Sequence, residues 1–118
     1  MSAVRGIRGA VTAARNSEEA ILEATRSLLA EMVTANGVQL ADIAAVHFSV
    51  TADLNAAFPA KAARQMGWLS VPLFCHREID VPGALASCIR ILMLWNTEKK
   101  QDEIKHIYLG ETKSLREL

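Results

Sequence analysis

Arginine 90 is the residue whose surroundings are hardest to explain by packing alone. It interrupts Cys88-Ile89-Arg90-Ile91-Leu92-Met93-Leu94-Trp95, a run otherwise wholly apolar. A guanidinium in such a stretch is rarely buried without a partner, so it either pairs with an acid or meets an anionic ligand. Glu78 and Asp80 are candidate acids for that pairing. A second arginine, Arg8, projects among Val4, Gly6 and Ala10, whose small side chains leave space around a planar fork suited to bidentate carboxylate binding. Glu78 adds an acceptor and Tyr108 a phenolic donor. Taken together, these four side chains describe a pocket for a small acidic molecule; singly, each reads equally well as a solvated or ion-paired residue.

Other chemistries find less support. Cys75 and His76 are adjacent, and neighbours on a strand point to opposite faces, so they do not make a nucleophilic dyad. Cys88, His47 and His106 are scattered without zinc-site spacing, and no metal or other cofactor is expected. Gly6 and Gly9 lie inside a strand pattern, not in a phosphate loop between strand and helix.

The elements that must position these residues follow from periodicity. Residues 3–12 alternate as a strand with Ile7 and Val11 toward the core and Arg8 away from it. Asn16 and Glu19 resemble a capping box that opens an amphipathic helix through Ile21, Leu22, Leu28, Leu29, Met32 and Val33 to Asn36-Gly37. Ile43–Val50 reads as a buried strand, Pro59 starts a short helix carrying Lys61 and Arg64 that Gly67 ends, and Ser70–Cys75 reads as a third strand. Asp80 and Pro82 look like the start of a third helix running to about Trp95, which puts Arg90 over Ser87, Ala86 and Gly83. Residues 104–109 alternate as a last strand. The expected order is β-α-β-α-β-α-β, a mixed α/β (α+β) fold in one domain over residues 1–118.

Composition bounds the rest. The chain of 118 residues is 51% apolar and 22% charged, enough for a core without disulfide or metal staples. Thirteen basic residues balance thirteen acidic ones and no basic block occurs, which argues against nucleic acid as partner. The first fifteen residues hold Arg5, Arg8 and Arg15 and no run of seven apolar residues, so a secretory leader is not expected; no run approaches about 20 apolar residues, and two cysteines fit a reduced cytoplasmic setting.

The ordered set Arg5-Gly6-Ile7-Arg8-Gly9-Ala10, Phe58-Pro59-Ala60-Lys61-Ala62 with Arg64, Glu78-Ile79-Asp80-Val81 through Gly83 and Leu85 to Cys88-Ile89-Arg90, His106-Ile107-Tyr108-Leu109 and Leu115-Arg116 resembles the small trimeric chorismate mutases of bacteria. The resemblance implies a chorismate-mutase-like mixed sheet assembling as a trimeric pseudo-α/β barrel, with sites between subunits and no cofactor. It implies chorismate as substrate, prephenate as product, and a place in phenylalanine and tyrosine biosynthesis. Carried over by motif, Arg90 and Glu78 are catalytic, and Arg8, Phe74, Cys75, Glu78, Arg90 and Tyr108 bind substrate. Phe58, Lys61, Arg64, Leu115 and Arg116 line the cleft. Phe74 stands where related enzymes often carry a small polar residue, which implies a contribution of shape and backbone. The chain ends soon after Arg116, implying a short cover over the cleft. Two alternatives remain open at this point: an enamine/imine deaminase-like trimer binding a small carboxylate, and a structural module in which Arg8 and Arg90 are ion-paired.

Overall fold

A computed structural model describes residues 2–117, the last two by backbone only. Five strands and two α-helices follow one another as β1 (Ala3–Thr12), α1 (Glu18–Asn36), β2 (Ile43–Val50), α2 (Ala60–Gln65), β3 (Leu73–Arg77), β4 (Cys88–Thr97) and β5 (Ile107–Tyr108). The strands form one mixed sheet in the order β3-β2-β4-β1-β5. β4 runs antiparallel to both β1 and β2, while β3 and β5 join the two edges in parallel. The α+β class expected from the sequence is the one found.

Alternation divides the sheet into two faces. Ile7, Gly9 and Val11 of β1, Val46 and Phe48 of β2, and Ile89, Ile91, Met93 and Trp95 of β4 are buried in one core with Ile21, Leu28, Leu29 and Met32 of α1. Gly9 is required by this packing: a Cβ there would come within 2.5 Å of Met32 Sδ. The opposite face exposes Val4, Phe74 and Leu92.

The third helix expected over residues 80–95 is absent. Residues 79–87 are loop and turn, and the Arg90 segment is the central strand β4, hydrogen-bonded on both sides. A continuous apolar run does not distinguish a helix from a strand flanked on both edges, and here the cross-strand pairing decides. Arg90 therefore does not sit over Ser87, Ala86 and Gly83; its neighbours are Ala10 on β1 and Ser49 on β2. Ser87, with φ of 53°, makes the sharp entry to β4 and is held by Asp53, whose carboxylate accepts from the Ser87 N–H at 2.9 Å and Oγ at 3.2 Å.

Smaller corrections concern boundaries. Ser17 caps α1, its side chain accepting from Ala20 N–H at 3.1 Å, whereas Asn16 reaches across to accept from the N–H groups of Asn55 and Ala56. Gly37 closes α1 in the left-handed conformation, as its position after Asn36 anticipates. Strand β3 starts and ends later than Ser70–Cys75, and the last strand shrinks to Ile107–Tyr108. A 3-10 helix, Gly110–Glu117, follows β5 and packs on β1.

Candidate active site

Strand register places the chemistry in two parallel rows on the open face. In the first row, reading across the sheet, His76 pairs with Ser49, Ser49 with Arg90, Arg90 with Ala10, and Ala10 with Tyr108. In the second, Phe74 pairs with His47, His47 with Leu92, and Leu92 with Arg8. Residues opposite one another project to the same side, so five strands contribute to one surface. Ala10, between Arg90 and Tyr108, keeps the middle of the first row low.

A cavity of about 320 Å³ opens there, lined among others by Arg8, Ser49, Glu78, Arg90, Leu92 and Tyr108. Glu78 is placed by the end of β3, where its N–H donates to Val50 O at 2.9 Å and extends the pairing with β2. Its carboxylate takes a hydrogen bond from Ser49 Oγ and lies 3.3 Å from Arg90 Nη1. The ion pair anticipated as one explanation of Arg90 thus exists, but it is not a buried one: the Arg90 side chain is 50% exposed and that of Glu78 23%. A pair so open to water contributes at most about 1 kcal/mol. It orients the guanidinium without consuming it, since a guanidinium has five N–H donors.

Arg8 is held from behind. Its backbone N–H donates to His106 Nδ1 at 2.9 Å, which ties the loop preceding β5 to β1 and sets Arg8 and Tyr108 side by side around an adjoining recess.

Cys75 does not join this group within one chain. It lies on the other side of β3, opposite Phe48, and lines a separate cavity of about 600 Å³ with Phe58, Lys61 and Arg64. Lys61 there pairs with Glu18 at 3.1 Å. His76 borders both cavities. Phe74 is 61% exposed and packs its ring on His76 at a centroid separation of 4.4 Å. Leu115 is half-buried in the last 3-10 helix, and the side chain of Arg116 lies outside the described residues. The predicted site residues therefore fall into two groups on one chain: Arg8, Glu78, Arg90 and Tyr108, and Phe58, Lys61, Arg64 and Cys75.

Burial pushes the Cys88 thiol up to about 11, with Arg90 opposing the shift only in part, so that thiol is not set up for nucleophilic attack. Among the described residues no group of three or more His, Cys, Asp or Glu could hold a metal ion.

Sequence reasoning missed His47, Ser49 and His76 as lining residues. The signal was available for the first two: in Val46-His47-Phe48-Ser49 the apolar residues alternate with polar ones, and that alternation puts both polar side chains on the face away from the core.

The family model for chorismate mutase type I matches residues 4–117. The chain is 54% identical over 114 residues to chorismate mutase AroH of Thermus thermophilus, covering 96% of this chain and 93% of that one. It is 45% identical over 114 residues to chorismate mutase AroH of Bacillus subtilis, covering 96% and 90%. Among solved structures, a chorismate mutase from Clostridium thermocellum superposes with a TM-score of 0.91 at 50% identity, covering 92% of this chain and 97% of that one.

Proposed function

The chain belongs to the chorismate mutase type I family and is an isomerase that converts chorismate to prephenate, and from that premise we propose which residues do the work and how copies of the chain assemble. Relatives so similar over nearly the whole length do not favour the deaminase-like alternative. We read residues 1–118 as a single catalytic domain acting in the cytoplasm.

The reaction is a unimolecular [3,3] rearrangement: the ether C–O bond breaks as a C–C bond forms within one dianion. It asks the protein for two things, a substrate folded into a chair-like shape and positive charge where the ether oxygen gains electron density. Arg90 supplies the second, its fork meeting that oxygen and a nearby carboxylate. Arg8 binds a carboxylate, Tyr108 donates a further hydrogen bond, and Glu78 accepts from the substrate hydroxyl while balancing positive character on the ring. Losing one preorganised donor at a developing oxyanion typically costs ~3–4 kcal/mol. That is close to half of the about 8 kcal/mol in a million-fold acceleration, and orientation supplies the remainder.

Phe58, Lys61, Arg64 and Cys75 complete the site from a neighbouring copy. Supporting this reading, the two groups of residues occupy different cavities of one chain. Val4, Phe74 and Leu92 on the open face are 53%, 61% and 40% exposed, apolar surface that association removes from water. Packing three such faces about one axis gives the homotrimeric barrel that the sequence resemblance implies. Phe74 and Leu115 then enclose the cleft by shape, and Arg116 attracts the dianion to its rim.

The observation that carries the assignment is the row across the sheet that sets a half-exposed, Glu78-oriented Arg90 in a cavity with Arg8 and Tyr108. Mixing inactive Arg90→Ala chains with inactive chains carrying Lys61→Ala and Arg64→Ala tests the shared site. Turnover regained on mixing, with a sedimenting mass of three chains, is the expected result. A monomeric mass, or mixtures as inactive as their parents, overturns the interfacial site.

A further inference from the structure

The cavity lined by Phe58, Lys61, Arg64 and Cys75 holds one more charged side chain, to which nothing above gives a role. Arg77 is the last residue of β3, an edge strand, and lies opposite Val50 of β2. Side chains along a strand alternate, so Arg77 projects to the side of Cys75, and Glu78, the next residue, to the other. Glu78 is engaged there by Ser49 and Arg90. Arg77 instead borders the cavity of about 600 Å³ that Lys61 and Arg64 reach from α2 and Phe58 from the loop before it.

Charge in this cavity is one-sided. Over the whole chain thirteen basic residues balance thirteen acidic ones. The cavity, by contrast, is lined by the three cations Lys61, Arg64 and Arg77 against the single carboxylate of Glu18, with His76 at its border. Glu18 is committed to Lys61 at 3.1 Å. Among the described residues no acid pairs with Arg64 or Arg77, and both side chains are exposed. A concave wall of one sign focuses its field on an approaching counter-ion and raises the rate at which that ion is captured.

We infer that Arg77 is a further substrate-recruiting residue, its guanidinium acting with Lys61 and Arg64 to draw the dianionic dicarboxylate into the shared site. This rests on the reading that the second cavity is the neighbouring copy's half of that site. The side chain leaves β3 on the side away from Glu78 and the Arg90 fork, where the bonds change. Arg77 therefore acts on capture and not on the rearrangement, so kcat/KM depends on it and kcat does not. What it supplies is a charge and not a particular fork geometry, so a lysine in its place preserves the effect.

Steady-state kinetics of the intact protein with chorismate at low and high salt tests this. At about 0.01 M salt, where the Debye length is about 30 Å, Arg77→Gln lowers kcat/KM about three- to tenfold and leaves kcat at the parental level. At about 1 M salt, where that length is about 3 Å, the gap to the parent closes. Arg77→Lys stays within about twofold of the parent at both salt concentrations. Lys100→Gln removes an exposed cation beyond the other end of β4 from Arg77 and leaves kcat/KM unchanged. Melting temperature and sedimenting mass of Arg77→Gln match the parent's. A parental kcat/KM for Arg77→Gln at low salt, a deficit that persists undiminished at high salt, a fall in kcat, or a loss that Arg77→Lys does not restore overturns the inference. The variant carrying Lys61→Ala and Arg64→Ala separates it from the reading beneath it. If that variant keeps the parental kcat/KM, the second cavity is no part of the site and the reading fails. If it loses kcat/KM while Arg77→Gln does not, the reading stands and the inference alone fails.

Discussion

The two faces of the sheet are made from the same five strands and do opposite things. Under α1, Ile7, Gly9, Val11, Phe48, Ile89, Ile91 and Met93 interlock with Leu28, Leu29 and Met32, and no charged side chain takes part. One residue further along each strand, Arg8, Ala10, Ser49 and Arg90 share the other face, where Arg90 makes a half-exposed ion pair with Glu78. The difference teaches how a domain of this size separates folding from function. The covered face supplies most of the stability, while Arg8 and Arg90 line one cavity of the open face. The Arg90–Glu78 pair there is so open to water that it adds at most about 1 kcal/mol to folding.

The comparison breaks most visibly where packing is removed. Phe48→Ala, on the covered face, is expected to lower unfolding free energy by about 3–5 kcal/mol in denaturant titrations, as for other large-to-small changes in a core. The fraction still folded should turn over chorismate at nearly the parental kcat. A variant that keeps its stability but loses kcat would mean the two faces are not separate in function.

A smaller effect sharpens the same point from the opposite direction. Gly9→Ala adds a methyl that meets Met32 Sδ, and shifting that flexible side chain should cost about 1–3 kcal/mol. Thermal melting reads this loss. KM should change little, because the added methyl points away from Arg8 and Arg90.

The smallest effect concerns the turn that delivers β4 to the open face. Hydrogen bonds from Thr51 and from Ser87 hold the Asp53 carboxyl below the usual carboxylate range. A lowered folded value means stability that is fully present above the unfolded-state value of about 3.9 and is lost as pH falls through the folded value. Asp53→Asn should accordingly be less stable than the parent near neutrality, with the gap closing in acid-unfolding curves below about pH 4. A gap that widens in acid would contradict the sign.

How far the sequence reveals this arrangement depends on which interactions set each element. β1, α1, β2 and α2 are legible because alternation, a left-handed glycine after Asn36 and a proline at a helix start are local signals. The stretch from Asp80 to Trp95 is not. Asp80 and Pro82 imitate a helix start, and a strand buried between two neighbours loses the contrast that alternation needs. Ile89, Ile91, Met93 and Trp95 do alternate with Arg90, Leu92, Leu94 and Asn96, but Leu92 and Leu94 are apolar, and that masks the period. Arg8, Glu78, Arg90 and Tyr108 are legible as a group through residue type and family resemblance, whereas the meeting of Arg77 with Lys61 and Arg64 around one cavity depends on how β3 and α2 come together, which no local pattern encodes. The division of the site residues between two cavities is likewise a property of the folded sheet.

The most direct test of the account replaces the Arg90 guanidinium by the neutral, isosteric urea of citrulline, which keeps the shape and removes the charge. If positive charge at the migrating electron density is what this face supplies, kcat for chorismate falls by a factor of about 100 or more while melting stays within a few degrees of the parent. A citrulline-90 protein that turns over chorismate at the parental kcat would contradict the central claim.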